Sequence, residues 1–298
     1  MTNALAINET MDFATIAALT GQQTGTTSGL PYLRANRAPQ DEAGNPLPLG
    51  AFVLQNADGV NVYAAEERTQ GKRTITVPKS IIFRPFINAY QYSIYDNEKK
   101  ATINRSVIFT DFRQDAPDEL GGNKCGKVTG KAKDNLSPAQ KKVNDAIKCH
   151  RLLFGLVSGF TGIDAEGNEA SVEDTPVLFR QGGSSFMAFN DQVMVHLNKA
   201  KRLMFTHPLD LITERVAHTP DVVGYEPRYT LDLTKAVTAT KDDFDLFTNF
   251  HEYIKVQNDG IRAKYEASLK GTVTKDDVED ADYLASLDTD FDDAPFDN

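Results

Sequence analysis

Cysteine is scarce. Only Cys125 and Cys149 occur in 298 residues, too few for a disulfide framework and in keeping with a reducing cytoplasm, the host's if the chain is viral. Long apolar runs are missing too, and Met1 to Ala6 shows no basic region leading into an apolar core, so neither membrane insertion nor secretion is expected. Cys125, Cys149 and His150 lack C-x-x-C spacing and are one ligand short of a zinc site, while His196, His207, His218 and His251 are scattered; no metal and no cofactor are expected. There is no G-x-S-x-G and no clustered acid, base and nucleophile. Gly121 to Lys127 satisfies G-x-x-x-x-G-K, but Val128 stands where Mg²⁺ needs Ser or Thr, and Asp115 to Glu119, no strand, precedes it. A non-enzymatic protein is therefore expected.

What is present is an ordinary globular composition, 40% hydrophobic and 25% charged, with no internal repeat and enough length for a sizeable core. The charge is unevenly placed. The chain carries 32 Lys+Arg against 42 Asp+Glu, and ten of the acidic residues lie in the last 23 positions, Asp276 to Asn298, where no basic residue occurs. Without that segment the count is 32 against 32, a body of no net charge. Repulsion at this density, with few apolar residues between, predicts a disordered tail over 272–298. Its apolar residues form two clusters, Tyr283-Leu284-Leu287 and Phe291-Ala294-Pro295-Phe296, a pattern suited to docking in a partner's pocket with a basic rim.

Phe291-Asp292-Asp293-Ala294-Pro295-Phe296 resembles the acidic tip of bacterial and phage single-stranded DNA-binding proteins, where a run of Asp leads into a terminal Pro-Phe. The resemblance covers six residues sharply and the acidic tail loosely. It implies that Phe291, Asp292, Asp293, Pro295 and Phe296 bind replication, recombination or repair enzymes, and that the body carries an OB-fold. Asp297 and Asn298 follow Phe296, whereas the family's tip ends at its Phe, so partners that read the free carboxylate beside that ring would find a poor ligand here.

Along the chain, residues 1–29 read as an N-terminal arm, a short helix over 10–19 followed by a polar Gly/Thr linker. From Leu30 to Lys131 the signals are for strands, among them Ala51 to Leu54, Val60 to Tyr63, Thr74 to Val77 and a long hairpin, Ile81 to Tyr95 returning over Thr102 to Arg113. Ser137-Pro138-Ala139-Gln140 predicts a capped helix to about Cys149, and Ser185 caps another to about Lys199. Strands are expected at Leu152 to Val157, Thr175 to Arg180, Leu203 to Thr206, Leu209 to Thr213 and Tyr229 to Leu233. Thr240 and Asp243 open a last helix with Phe244, Phe247, Phe250 and Ile254 on one face, interrupted at Gly260. The sum is an α+β body over 30–271, an OB-like antiparallel β-barrel elaborated by helices.

Single-stranded nucleic acid needs cations for phosphates and rings for bases. On the long hairpin Arg84, Phe86, Asn88 and Tyr90 share a parity that Tyr92 continues; Arg105, Phe112 and Arg113 lie on the return, and Lys99-Lys100 at the turn. A second basic stretch, Gly121 to Arg151, holds eight cations against two carboxylates, a net +6, with Lys124, Lys127, Lys131 and Lys133 in its Gly-rich half. These residues are the expected contacts for single-stranded DNA. The expected function is sequence-independent coating and protection of single strands in phage-type replication, recombination and repair, with partners recruited by the tail, and with self-association possible through the arm. The competing expectation is a phage structural or interaction protein, or a DNA mimic, which the charge-neutral body favours.

Overall fold

The computed structural model describes residues 29–40, 47–55, 60–70, 73–96, 99–163, 168–183, 185–217 and 223–270. The expected arm, apart from Gly29, and the acidic tail with Phe291, Asp292, Asp293, Pro295 and Phe296 lie outside them. The described chain is α+β. Its strands are β1 (Tyr32–Ala35), β2 (Phe52–Gln55), β3 (Asn61–Gln70), β4 (Arg73–Pro78), β5 (Ile81–Asp96), β6 (Ala101–Arg105), β7 (Ile147–Ser158), β8 (Phe160–Ile163), β9 (Glu169–Val172), β10 (Thr175–Gln181), β11 (Leu209–Ala217) and β12 (Val223–Leu231). They form one mixed sheet in the order β12-β11-β5-β7-β10-β1-β2-β3-β8-β9, with β4 on β3 and β6 on β5. β1 and β10 run parallel, and the other ladders are antiparallel.

The expected closed antiparallel barrel is corrected to an open sheet. The sheet does curl, with β12 approaching β1; Thr213 Oγ1 of β11 donates to the Gly50 carbonyl ahead of β2, and Gln181 Nε2 of β10 donates to the Tyr229 hydroxyl of β12. Gly50 sits at φ +76° with the Tyr225 ring against it, a place for a residue without a Cβ. β1 has no edge left for β12, because β2 and β10 already occupy both of its sides.

The helices cap local signals. Ser137 accepts from the Gln140 amide while Gln140 reaches back to the Ser137 amide, which starts α1 (Pro138–Ala146). α1 stops before Cys149 because Ile147, buried at 3% exposure, turns into β7. α2 (Ser185–Phe189) and α3 (Val195–Ala200) are joined by a π turn over Asn190–Met194. α4 (Lys241–Leu269) opens on the Thr240/Asp243 capping box and runs straight through Gly260. Leu203 to Thr206, expected as a strand, contains a 3-10 turn at Met204–Thr206.

Each sheet face has its own core. One face packs Leu33, Phe83, Leu153, Phe179, Leu209 and Leu211 against Phe189, Val193 and Leu197 of the α2–α3 segment. The other packs Tyr32, Ile87, Ala89, Leu152, Phe154 and Leu178 against Phe250 of α4. Burying a side chain such as Phe250, 1% exposed, contributes about 1.5–3 kcal/mol. A third cluster, Tyr92, Val107, Phe109, Ala116 and Ile147 with Ile261 of α4, closes the end of the sheet.

Candidate nucleic-acid interface

β5 is the strand on which the expected platform rests, and it is not regular. Its ladder with β7 shifts register between Pro85 and Ile87, leaving Phe86 as the extra residue of a bulge. A bulge reverses the alternation beyond it. Arg84 stands opposite Leu156, whereas Asn88, Tyr90 and Tyr92 stand opposite Leu153, Arg151 and Cys149, the other face of β7. Arg105, opposite Ser93, shares the face of Arg84. The two guanidiniums and the two tyrosines expected on one surface are therefore divided between opposite faces.

Several expected contacts are committed internally. Arg84 Nη2 pairs with Asp243 Oδ2 at 2.8 Å and its Nε donates to the Phe205 carbonyl at 2.6 Å. Phe86 is 4% exposed among Phe205, Phe247 and Phe250. Arg105 pairs with Glu119 at 3.0 Å, and Lys133 with Asp145 at 2.8 Å. Lys127 Nζ donates to the Asn144 and Ile147 carbonyls at 2.7 and 2.9 Å. Tyr92 is 7% exposed and stacked on Phe109; burial, then the neighbouring Cys149, pushes its hydroxyl up to about 12.

The Gly-rich loop is likewise turned inward. Asp118, 1% exposed, accepts from the amides of Leu120 and Gly122 on Oδ1 and of Cys125 on Oδ2, at 3.1, 3.0 and 3.0 Å. Lys124, Cys125 and Gly126 all have positive φ, 52°, 54° and 77°, the strain of wrapping a chain around a carboxylate. The amides that a phosphate-binding loop would offer to a ligand are thus occupied by the protein's own acid. Burial pushes both thiols up, Cys149 to about 11, and no metal-holding group of His, Cys, Asp or Glu exists among the described residues.

What remains partly exposed is a ring cluster on the Tyr90 face, in which Tyr90 and Phe186 are half-buried. Tyr90 packs 4.2 Å from Phe112 and 5.9 Å from Phe186, centroid to centroid, and Phe112 is 44% exposed. Arg151 lies 5.3 Å from the Tyr90 centroid and 5.1 Å from that of Phe186; its Nε donates to the Phe186 carbonyl at 3.0 Å and Nη1 to Asn88 Oδ1 at 3.2 Å. Lys124 Nζ is fixed by the Phe112 carbonyl at 2.7 Å. Arg113, Lys131 and the hairpin pair Lys99-Lys100 are exposed. Sequence reasoning found Tyr90 and Phe112 but missed Phe186 and Arg151, which come from α2 and β7.

It also missed a pocket. Arg34, Arg37, Lys148 and Arg180 line it together with Tyr95 and Tyr225, and no carboxylate is among its described lining residues. By register, Lys148, Arg180 and Ser93 share the Arg84 face on three neighbouring strands, and β1 brings Arg34 alongside. His150, also in the lining, is held well below its usual pKa by burial and then by Arg180 and Lys148. Arg34 and Arg37 are three residues apart, but Lys148 and Arg180 come from distant strands, so no motif could reveal the four together. Compared with protein families, with curated proteins and with solved structures, the chain matches none.

Proposed function

We propose that the chain binds single-stranded DNA without sequence preference, as a non-enzymatic coating protein of replication, recombination or repair, and that its acidic C-terminal segment recruits partner enzymes. The observation that carries this reading is the open ring cluster: Tyr90 against a 44%-exposed Phe112, with Phe186 and Arg151 alongside. Unpaired bases offer the stacking faces such a cluster lacks, and stacking tolerates any base. Lys99, Lys100, Arg113, Lys124 and Lys131 supply charge for the backbone. The curled β1-β10-β7-β5-β11-β12 portion of the sheet is, in this reading, an elaborated OB-like element working in the cytoplasm.

A second reading has its own support. Arg84, Arg105 and Lys133 are spent on internal ion pairs, so a charge-balanced body serving as an interaction module or DNA mimic is the competing function. Gel shifts with oligo(dT) and duplex at two salt concentrations separate them. Coating gives preference for the single strand, quenching of tyrosine fluorescence, and tighter binding with loss of partner recruitment on truncation after Lys275. Equal or absent binding of both nucleic acids rejects it.

A further inference from the structure

We propose that the pocket between β1, β5, β7 and β10 is a binding site for a phosphate monoester, carried either by the end of a nucleic-acid strand or by a free nucleotide. The inference goes beyond the coating function and does not need it, since a free nucleotide brings the same group.

Three features select this chemistry. Charge comes first. Arg34, Arg37, Lys148 and Arg180 converge on one small volume, and a monoester near neutral pH carries about −1.5 to −2, against a single charge for an internal diester. Arg37 and Lys148 are exposed on the rim, and neither forms an ion pair among the described residues.

Size comes second. The cavity holds about 60 Å³, and a water needs roughly 10–15 Å³ on such a measure. That leaves room for a handful of oxygens, the span of one phosphate group, with no space for a base at the bottom.

Shape comes third. Among the lining residues Ser93 and Ser185 are buried, 4% and 6% exposed. Ser93 Oγ lies 3.2 Å from Arg180 Nη2 and 3.0 Å from His150 Nε2, so the inner guanidinium is held in place before any ligand arrives. A diester must leave in two directions; a monoester presents three free oxygens inward and leaves by its one ester oxygen. Tyr95 and Tyr225, both half-buried, also line the cavity, and rings there can flank a sugar or base. Tyr90, Phe112, Phe186 and Arg151 are not among the lining residues, so the two sites are separable by mutation.

The test uses the full chain and measures affinity for fluorescent dT oligomers that differ only in a 5′-phosphate, a 3′-phosphate or free hydroxyls, with dTMP and inorganic phosphate as competitors. One phosphorylated oligomer is expected to bind at least about tenfold more tightly than its hydroxyl twin. Arg37→Ala with Lys148→Ala should erase that difference while leaving the thermal midpoint and the affinity for the hydroxyl oligomer unchanged. If the strand end is not the source, dTMP should still bind saturably, and the double variant should abolish this. Equal affinities of all three oligomers, together with no saturable binding of dTMP or phosphate, overturn the proposal. Failure of the hydroxyl oligomer to bind at all rejects the coating function instead, and leaves the dTMP measurement to decide this one.

Discussion

Arg84 of β5 and Asp243 in the first turn of α4 are joined at 2.8 Å, with side chains 18% and 6% exposed. The pair pins the start of the longest helix to the middle of the sheet. Asp243 also accepts from the Thr240 amide at 2.8 Å, so one carboxylate serves as cap and tether. Burial would raise its pKa, but Arg84 and Thr240 outweigh that and hold it below the usual carboxylate value.

Breaking this pair should affect stability and leave strand affinity alone. Arg84→Ala or Asp243→Ala strands a largely buried charge, a loss of about 3 kcal/mol, read as a lower urea midpoint. A group whose folded pKa is depressed stabilises above its unfolded value, about 3.9, and its contribution disappears as pH falls through the folded value. The wild type should therefore lose stability below about pH 4 more steeply than Asp243→Asn.

The ring cluster gives the opposite pattern. Phe112→Ala removes a half-exposed ring that borders the core at Phe109, and Tyr90→Ala a ring at the centre of the cluster. Each should weaken oligo(dT) binding by about 5- to 150-fold, the equivalent of 1–3 kcal/mol per stacked base. Tyr92→Phe, on the same face but buried, should bind normally. Affinity titrations of the three variants at one salt concentration check the set.

Asp118 is expected to be a folding residue. Asp118→Ala leaves the amides of Leu120, Gly122 and Cys125 without their acceptor, at about 1–3 kcal/mol for each amide that stays buried. Hydrogen exchange should accelerate at these three positions, with a fall in the thermal midpoint.

The Cys149 thiol and Tyr92 hydroxyl, pushed up to about 11 and about 12, make the fold sensitive to alkali. In the unfolded chain these groups ionise near 8.5 and 10. Between those values and the folded ones the unfolded state holds fewer protons, so stability falls as pH rises. Denaturant midpoints should decline from about pH 8.5 upward, and Cys149→Ser should blunt the first part of the decline. At pH 7.5 iodoacetamide should label the folded chain far more slowly than the unfolded one.

What the sequence revealed was local. Ser137 with Gln140 and Thr240 with Asp243 mark helix starts because the capping bonds span three residues. α4 passes Gly260 because the roughly 1 kcal/mol disadvantage of glycine is smaller than what Phe250 and Ile261 gain by burial on either side of it. Phe244, expected on the same buried face, is 58% exposed, since the sheet-facing stripe at that end runs through Asp243, Leu246 and Phe247 to Phe250. The error at Phe86 has a single cause: reading alternate residues onto one face assumes a strand without insertions, and one bulge reassigned Arg84 and everything beyond it. The pocket was illegible because register, and no spacing in the chain, brings Arg34, Lys148 and Arg180 together.

The parallel seating of Tyr32 beside Leu178 also sets an order of events during synthesis. β1 leaves the ribosome early, yet its neighbour on one side is not made until the chain has reached Gln181. Until then that edge is open to the wrong strand, one from another nascent copy included. A helper that shields the first segment, or rapid translation through to β10, would raise the yield of native protein.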